Sequence, residues 1–336
     1  MHKILIIAPA WVGDVVMSQT LFKRLHDKYG GDLILDVFAS GFLHGLLERM
    51  PEVNQVILNP FSHGKFQFFK RIRVGLSLRK RHYDEVFVLP NSFKSAIVPF
   101  FAGIPVRTGF VGEFRYGLLN NLYKLDKEKL PLMIDRFCAL AGAGKDNIIK
   151  WPKLTINRAN QDTLCQKFNL NLDKPITAFC PGAEYGPAKQ WQPKSVARLA
   201  AMLLEHGDQI IILGSSKDSG ISQDILNLIG QSKPDLVINL CGKTSLADAV
   251  DLLALAKNVV TNDSGLMHIA CAVGSHVVAV YGSTSPGFTP PLTKTAKILQ
   301  TQLECQPCFA RTCRFGHYNC LKMITPEMVL QQISAG

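Results

Sequence analysis

The sequence predicts an α/β protein made of two doubly wound domains. Short apolar segments typical of strands alternate with amphipathic segments typical of helices, which is the pattern of parallel sheets covered on both faces. The pattern weakens around residues 150–173, where polar residues gather, and then begins again. At 336 residues the chain is also long for one hydrophobic core. We therefore expect domains over residues 1–160 and 161–336 that face a central cleft, with a last helix able to pack back on the first domain.

The first half opens with a strand at Lys3–Ala8, a short loop and a helix at Val15–Tyr29. Three further strands are predicted at Leu33–Phe38, Val53–Leu58 and Glu85–Leu89. The loop after the first strand lacks the GxGxxG pattern, so the sequence shows no dinucleotide fingerprint where one is expected.

The second half repeats this organisation. A glycine- and proline-rich turn and a helix at Pro193–His206 follow its first strand. The strands are predicted at Ile176–Cys180, Gln209–Leu213, Leu236–Asn239, Asn258–Thr261 and His276–Tyr281. Ligands of such sheets bind outside the carboxyl ends of the strands, so functional residues are expected in the loops that follow them.

The bulk composition excludes several classes of protein. Hydrophobic residues make up 47% and charged residues 19%, as in a well-packed globular protein rather than a disordered one. No apolar run approaches the roughly 20 residues of a membrane helix. The opening MHKILIIAPAWVGDVV contains an acidic residue and is typical of a strand, loop and helix, not of a signal peptide. We expect a cytoplasmic protein.

The net charge of +11 is unevenly distributed. Between residues 53 and 83 there is no acid, but seven basic residues: Lys65, Lys70, Arg71, Arg73, Arg79, Lys80 and Arg81. Phenylalanines alternate with them, which favours a surface that binds anionic lipid over a plain solvated face. Nucleic acid is not expected as a partner, because no helix-turn-helix or similar reader accompanies the charge.

Asp14 is the single carboxylate of the loop that follows the first strand. It can be an ordinary helix N-cap, worth about 1 kcal/mol. Alternatively it is a general base that accepts a proton from an incoming hydroxyl.

Two segments of the second half predict an anion site. In TNDSGLMH, Asp263 or Ser264 can cap a helix whose first N–H groups attract anions. Lys189, in the turn that also holds Glu184, is suited to a diphosphate, although it can equally be a surface lysine. The chain contains no Asp-x-Asp motif, so the charge of a leaving group would be neutralised by lysine and helix N–H groups.

Six blocks together resemble the lipopolysaccharide heptosyltransferases of glycosyltransferase family 9. They are IAPAWVGDVVMSQ, LPNSFKSAIVPFFAGIPVRTGF, EFRYGLLN, CPGAEYGPAKQW, TNDSGLMHIA and FTPPL, and they run through nearly the whole chain. The resemblance implies a GT-B fold, with the acceptor on the N-terminal domain and an ADP-sugar on the C-terminal one. It also implies inverting, metal-independent transfer of L-glycero-D-manno-heptose from ADP-heptose to the first heptose of heptosyl-Kdo2-lipid A. That reaction takes place at the cytoplasmic face of the inner membrane and needs no cofactor.

The resemblance also implies roles for individual residues. Asp14 matches the catalytic base, Lys189 the lysine that binds the diphosphate, and Asp263 the carboxylate that holds donor-sugar hydroxyls. Others are expected to line the donor site (Glu184, Ser264, Gly265 and His268), to border the nucleotide (Ser215 and Ser216) or to bind the acceptor (Asn91, Ser92, Lys94, Arg107 and Arg115).

Three other functions are compatible with the sequence. A sister enzyme could add the first or a later heptose, since acceptor choice depends on few contacts. A nucleotide-sugar epimerase also uses two Rossmann-like domains. A binding protein that uses the basic stretch is a third, non-enzymatic alternative.

Four of the nine cysteines cluster near the C-terminus, at Cys305, Cys308, Cys313 and Cys320. Their spacing allows a structural zinc site, although gaps of four and six residues are irregular for one. A redox-sensitive disulfide and reduced thiols are the alternatives. The other five cysteines lie in apolar surroundings typical of a core.

Overall fold

The computed structural model describes residues 1–62, 64–142, 148–230 and 233–334. The chain forms two compact units, residues 1–152 and 153–336. The boundary lies eight residues before the predicted one, because the amide of Leu154 already bonds to the carbonyl of Ala272, 3.0 Å away. The side chain of Asn157 caps the next helix, and Asn160 donates to Asp251 at 2.8 Å. These bonds attach the segment before residue 160 to the second unit.

The first unit is a six-stranded parallel sheet with the strand order β3-β2-β1-β4-β5-β6. Its strands are β1 His2–Ile7, β2 Leu33–Ala39, β3 Gln55–Leu58, β4 Glu85–Val88, β5 Val106–Phe110 and β6 Asn121–Tyr123. Its helices are α1 Val12–Tyr29, α2 His44–Leu47, α3 Phe68–Leu78, α4 Ile97–Phe101 and α5 Met133–Ala139. Residues 4–7 of β1 and 86–88 of β4 are buried, which explains why these parts of the central strands are entirely apolar.

The second unit is also a six-stranded parallel sheet, with the order β12-β11-β10-β7-β8-β9. Its strands are β7 Ile176–Cys180, β8 Gln209–Ile212, β9 Val237–Asn239, β10 Asn258–Asn262, β11 His276–Tyr281 and β12 Lys297–Gln300. Its helices are α6 Arg158–Phe168, α7 Pro193–Glu205, α8 Ser219–Ile229, α9 Leu246–Leu255, α10 Gly265–Val273, α11 Asn319–Lys322 and α12 Pro326–Ser334.

Both sheets have the strand order of the Rossmann fold, 3-2-1-4-5-6 when each unit is counted from its own first strand. The order reverses between β1 and β4 in the first unit and between β7 and β10 in the second. Open α/β sheets bind ligands at this reversal, outside the carboxyl ends of the strands. The loops that follow these four strands are therefore where a site is expected.

The final helix, α12, contributes to the core of the second unit. Val329 is fully buried and Ile333 is 8% exposed, and both lie in one hydrophobic cluster with residues of α7 and the sheet. Trp191, 2% exposed, donates from its indole N–H to the carbonyl of Ile324 at 3.0 Å, just before α12. This hydrogen bond attaches the C-terminal segment to the loop that contains Lys189.

Among the described residues, no helix is both long and apolar enough to cross a membrane.

Candidate active site

Lys189 and Asp263 form a buried ion pair at the strand reversal of the second unit. Lys189 lies in the loop after β7, and Asp263 directly follows β10. The ammonium Nζ is 2.7 Å from Asp263 Oδ2 and 3.1 Å from the Asp263 carbonyl oxygen, and the two side chains are 14% and 4% exposed. The structure therefore brings together two residues that lie 74 positions apart in the sequence.

Two threonines complete the surroundings of the Asp263 carboxylate. Thr284 donates to Oδ2 at 2.6 Å, and Thr289 donates to Oδ1 at 3.2 Å. Sequence reasoning did not name either residue, although Thr289 lies in the FTPPL block. Because two threonine hydroxyls and the ammonium group of Lys189 all donate to the carboxylate, Asp263 holds Lys189 in place in this structure. Its predicted contact with donor-sugar hydroxyls stays a prediction.

Asn262 fixes the loop that contains Lys189. Its Oδ1 accepts from the backbone N–H of Trp191 at 2.9 Å, and its Nδ2 donates to the carbonyl of Pro181 at 2.7 Å. Asn262 is 2% exposed, so both bonds lie inside the protein. One side chain thus ties both ends of the Pro181–Trp191 loop to the end of β10.

Helix α10 begins at the same edge. Ser264 is its N-cap residue, but no side-chain hydrogen bond caps the helix, so the expected capping bond from Asp263 or Ser264 is absent among the described contacts. Gly265 is the first helical residue. The backbone N–H groups of this first turn are suited to an anion.

His268 lies in the same helix and is 4% exposed, and its Nδ1 has no hydrogen-bond partner among the described residues. The pKa of His268 is lowered to about 4, mainly by burial; the charge of Asp263 opposes this shift and that of Lys189 adds to it. The imidazole is therefore neutral at pH 7. It can orient a polar ligand, but it adds no charge to the site.

Glu184, Ser215 and Ser216 lie at the same carboxyl edge, but they are engaged with neighbours or exposed. Glu184 forms an ion pair with Lys217. The backbone N–H and hydroxyl of Ser215 both donate to Asp218 at 2.8 Å, and Ser216 is exposed. A Cβ atom at Gly182 would lie 2.4 Å from Asp218 Oδ1, so only glycine allows these two loops to come so close. The expected roles of Glu184 in the donor site and of Ser215 and Ser216 beside the nucleotide stay predictions.

Asp14 follows β1 in the first unit, as Lys189 follows β7 in the second. Helix α1 begins at Val12 with Trp11 as the N-cap residue, so the N-cap interpretation of Asp14 is wrong and the helix starts three residues earlier than expected. Asp14 is instead the third residue of the helix and half-buried. A carboxylate in the first turn is stabilised by the helix dipole, and here it lies next to the strand reversal.

Asn91, Ser92 and Lys94 follow β4, the other strand of this reversal. Asn91 is exposed, and Ser92 and Lys94 are half-buried. The structure therefore places these three predicted acceptor residues at the same edge of the sheet as Asp14.

Arg115 is buried beneath the loop that follows β4. It is 1% exposed, and its guanidinium donates to the carbonyls of Pro90 and Phe110 and to the side chains of Asn91 and Ser95. Burial lowers its pKa to about 10, which still leaves it charged at neutral pH. As a buried residue it cannot meet a ligand directly in this structure, so its placement does not support acceptor binding.

Arg107 is separated from the other acceptor candidates. It is the second residue of β5 and therefore lies near the amino end of that strand, at the opposite edge of the sheet from Asp14. Its guanidinium donates to the carbonyls of Ile104 and Leu118, each at 2.6 Å. This position does not support a role in acceptor binding either.

The substitution Arg115→Met should lower the free energy of unfolding by about 3 kcal/mol, because it leaves buried carbonyls without donors. Urea unfolding measures this, and Arg73→Met, at an exposed arginine of the same unit, is the matched control. Unchanged stability together with a raised KM for acceptor would show that Arg115 is a ligand contact after all.

The four clustered cysteines are all reduced and half-buried. Burial raises the pKa of the Cys320 thiol, and negative charge on the other three cysteines raises it further. Nevertheless, the described residues contain no group of three or more His, Cys, Asp or Glu side chains that could hold a metal ion. The structure gives no support to the zinc site, which stays a prediction.

Comparison with known proteins identifies the family. Residues 71–319 match the model of glycosyltransferase family 9 (heptosyltransferase). The chain belongs to this family. It is 43% identical to lipopolysaccharide heptosyltransferase 2 of Escherichia coli (strain K12), over 99% of this chain and 98% of that protein. The identity to lipopolysaccharide heptosyltransferase 2 of Salmonella typhimurium is 44%, over 98% and 97% of the two chains.

The solved structure of E. coli ADP-heptose LPS heptosyltransferase II matches this family 9 chain with a TM-score of 0.90 and 42% identity. The match covers 99% of this chain and 98% of that one. It confirms the predicted GT-B fold with two Rossmann-like units. The chain is thus a glycosyltransferase, and the comparisons do not favour the epimerase alternative.

Proposed function

We propose that this family 9 glycosyltransferase transfers a heptose from ADP-heptose to the first heptose of the lipopolysaccharide inner core. The Lys189–Asp263 pair beside the N-terminus of α10 carries the proposal. It holds the Lys189 ammonium at the strand reversal of the second unit, where the first N–H groups of α10 also attract anions. Over nearly its full length the chain is 43–44% identical to proteins named lipopolysaccharide heptosyltransferase 2. This similarity supports addition of the second heptose rather than of the first or a later one.

In the proposed reaction, Asp14 removes the proton from an acceptor hydroxyl. The freed oxygen attacks the anomeric carbon of the donor from the face opposite to the diphosphate, and the bond from that carbon to the diphosphate oxygen breaks. ADP leaves with the bonding electrons, and inversion at the anomeric carbon follows from the single displacement. Lys189 and the N–H groups of α10 stabilise the charge that develops on the leaving group, which requires no metal ion.

The test is ADP release from ADP-heptose with two acceptors measured in parallel, without added metal. We expect release with Kdo2-lipid A that already bears one heptose, and none with bare Kdo2-lipid A. Release with the bare acceptor would indicate addition of the first heptose. Release with neither acceptor would contradict the proposal.

We also propose that α3 and the residues before it bind the anionic cytoplasmic face of the inner membrane. Phe69 is 82% exposed and Phe66 is 50% exposed, next to the exposed cations Lys70 and Arg73. Exposed aromatic rings among cations suit an anionic lipid surface. Arg71 does not contribute to this surface, because it is 7% exposed and donates to the carbonyls of Phe66, Lys65 and Lys94.

The variant Phe69→Ser/Lys70→Ser should bind vesicles that contain phosphatidylglycerol about tenfold more weakly, because both apolar contact and charge are lost. Co-sedimentation measures this. The matched control is Phe315→Ser, at a phenylalanine of the second unit that is 69% exposed. Equal losses in both proteins would mean that the vesicles bind exposed phenylalanine in general rather than this surface.

A further inference from the structure

Arg311 lies on a segment that packs directly against the loop of Lys189. Its carbonyl accepts from the N–H of Ala188 at 3.0 Å, and the hydroxyl of Tyr185 donates to the carbonyl of Phe309. A Cβ atom at Gly186 would lie 2.5 Å from the Arg311 carbonyl oxygen, and Gly186 has a φ of +151°. Both the space and the backbone conformation therefore require glycine at this crossing. Residues 309–311 are held against the donor loop by main-chain contacts.

The ring of Tyr185 has two cations against it. The guanidinium carbon of Arg311 and the ammonium of Lys189 each lie 5.2 Å from the centroid of the ring. A tyrosine ring attracts cations to its face, so it holds the two side chains as neighbours despite their like charge.

The lysines near the proposed diphosphate site are already paired with acids. Lys189 is already paired with Asp263, and Lys217 with Glu184. Arg311 is exposed, and no salt bridge joins it to an acid in the part of the chain that the structure describes. A sugar diphosphate carries more than one negative charge and gains another as the sugar leaves. A cation that is not already neutralised is therefore needed near Lys189.

We propose that Arg311 binds the donor diphosphate together with Lys189. This assignment rests on the proposed function and adds a residue to it. Guanidinium groups bind phosphate oxygens through two parallel N–H donors, and the cation–π contact with Tyr185 positions Arg311 before the donor arrives. The leaving group would then contact Lys189, which is paired with Asp263, and Arg311, which is not paired with an acid among the described residues. Arg311 was not among the candidates from the sequence, since it lies 122 positions after Lys189 and belongs to the cysteine-rich segment.

The test is calorimetric titration of the full-length protein with ADP and with AMP. Arg311→Gln should weaken ADP binding about 10–100-fold, the size expected for a charged hydrogen-bonding partner, and should weaken AMP binding less. It should also flatten the dependence of the ADP Kd on salt, while Arg311→Lys recovers part of the affinity. The melting temperature should not change, because the carbonyl of Arg311 holds the donor loop and every substitution keeps that carbonyl.

Arg314→Gln is the matched control, since Arg314 is exposed on the same segment. It should bind ADP like the unsubstituted protein. The proposal is overturned if Arg311→Gln binds ADP within about twofold of the unsubstituted protein while Lys189→Met binds it weakly. Failure of the unsubstituted protein to bind ADP would instead overturn the proposed function, so the two failures are distinguishable.

Discussion

Replacing Asp14 with asparagine should lower kcat by about 10²–10⁴-fold, the usual contribution of a general base. An amide of the same shape keeps the start of α1 but cannot accept the proton of the acceptor hydroxyl. ADP affinity should stay within about twofold, because the donor residues belong to the second unit. Steady-state kinetics with the heptosylated acceptor and calorimetry with ADP measure the two quantities.

The matched control is Asp27→Asn. Asp27 lies on the same helix, near its C-terminal end, and pairs with Lys150 on the surface at 2.6 Å. Exposed pairs contribute about 0–1 kcal/mol, so this variant should keep both activity and stability. If Asp14→Asn folds normally and turns over at a near-normal rate, Asp14 is not the base.

The second large effect is expected for Asp263→Asn. Removing one partner of a buried pair leaves Lys189 charged and unpaired, which typically costs about 3–5 kcal/mol. We expect a loss at the lower end of this range, because Lys189 keeps its bond to the Asp263 carbonyl and is 14% exposed. Denaturant unfolding measures the loss, and transfer of heptose should fall below detection because the carboxylate that orients the Lys189 ammonium is gone.

A double variant separates the structural role of this pair from its chemical role. Asp263→Asn/Lys189→Met removes both charges, so much of the stability should return while ADP binding stays weak. Glu184→Gln provides a comparison for stability alone, because it breaks the exposed pair with Lys217 and should cost less than about 1 kcal/mol. Recovery of ADP binding in the double variant would show that Lys189 does not bind the diphosphate.

The alternation of strands and helices predicted the fold class and nine of the strands, because a strand buried on both faces leaves an unbroken apolar run. The strands β5, β6 and β12 were missed. They lie toward the edge of each sheet, and Thr108 in β5 and Asn121 in β6 interrupt the apolar pattern with a side-chain hydrogen bond between them. The start of α1 was also misplaced, since Trp11 gives no side-chain capping signal.

By itself, the sequence determined the two-domain α/β organisation and the loops that contain Asp14, Lys189 and Asp263. These follow from local patterns, since a loop after a parallel strand always reaches the carboxyl edge of its sheet. Only the tertiary structure decided which charged side chains are exposed at the carboxyl edges of the two sheets. Arg115 is buried below the loops, Arg107 lies at the opposite edge, and Arg311 comes to Tyr185 from a distant segment. Burial and pairing depend on contacts between residues far apart in the chain, and no local pattern records those contacts.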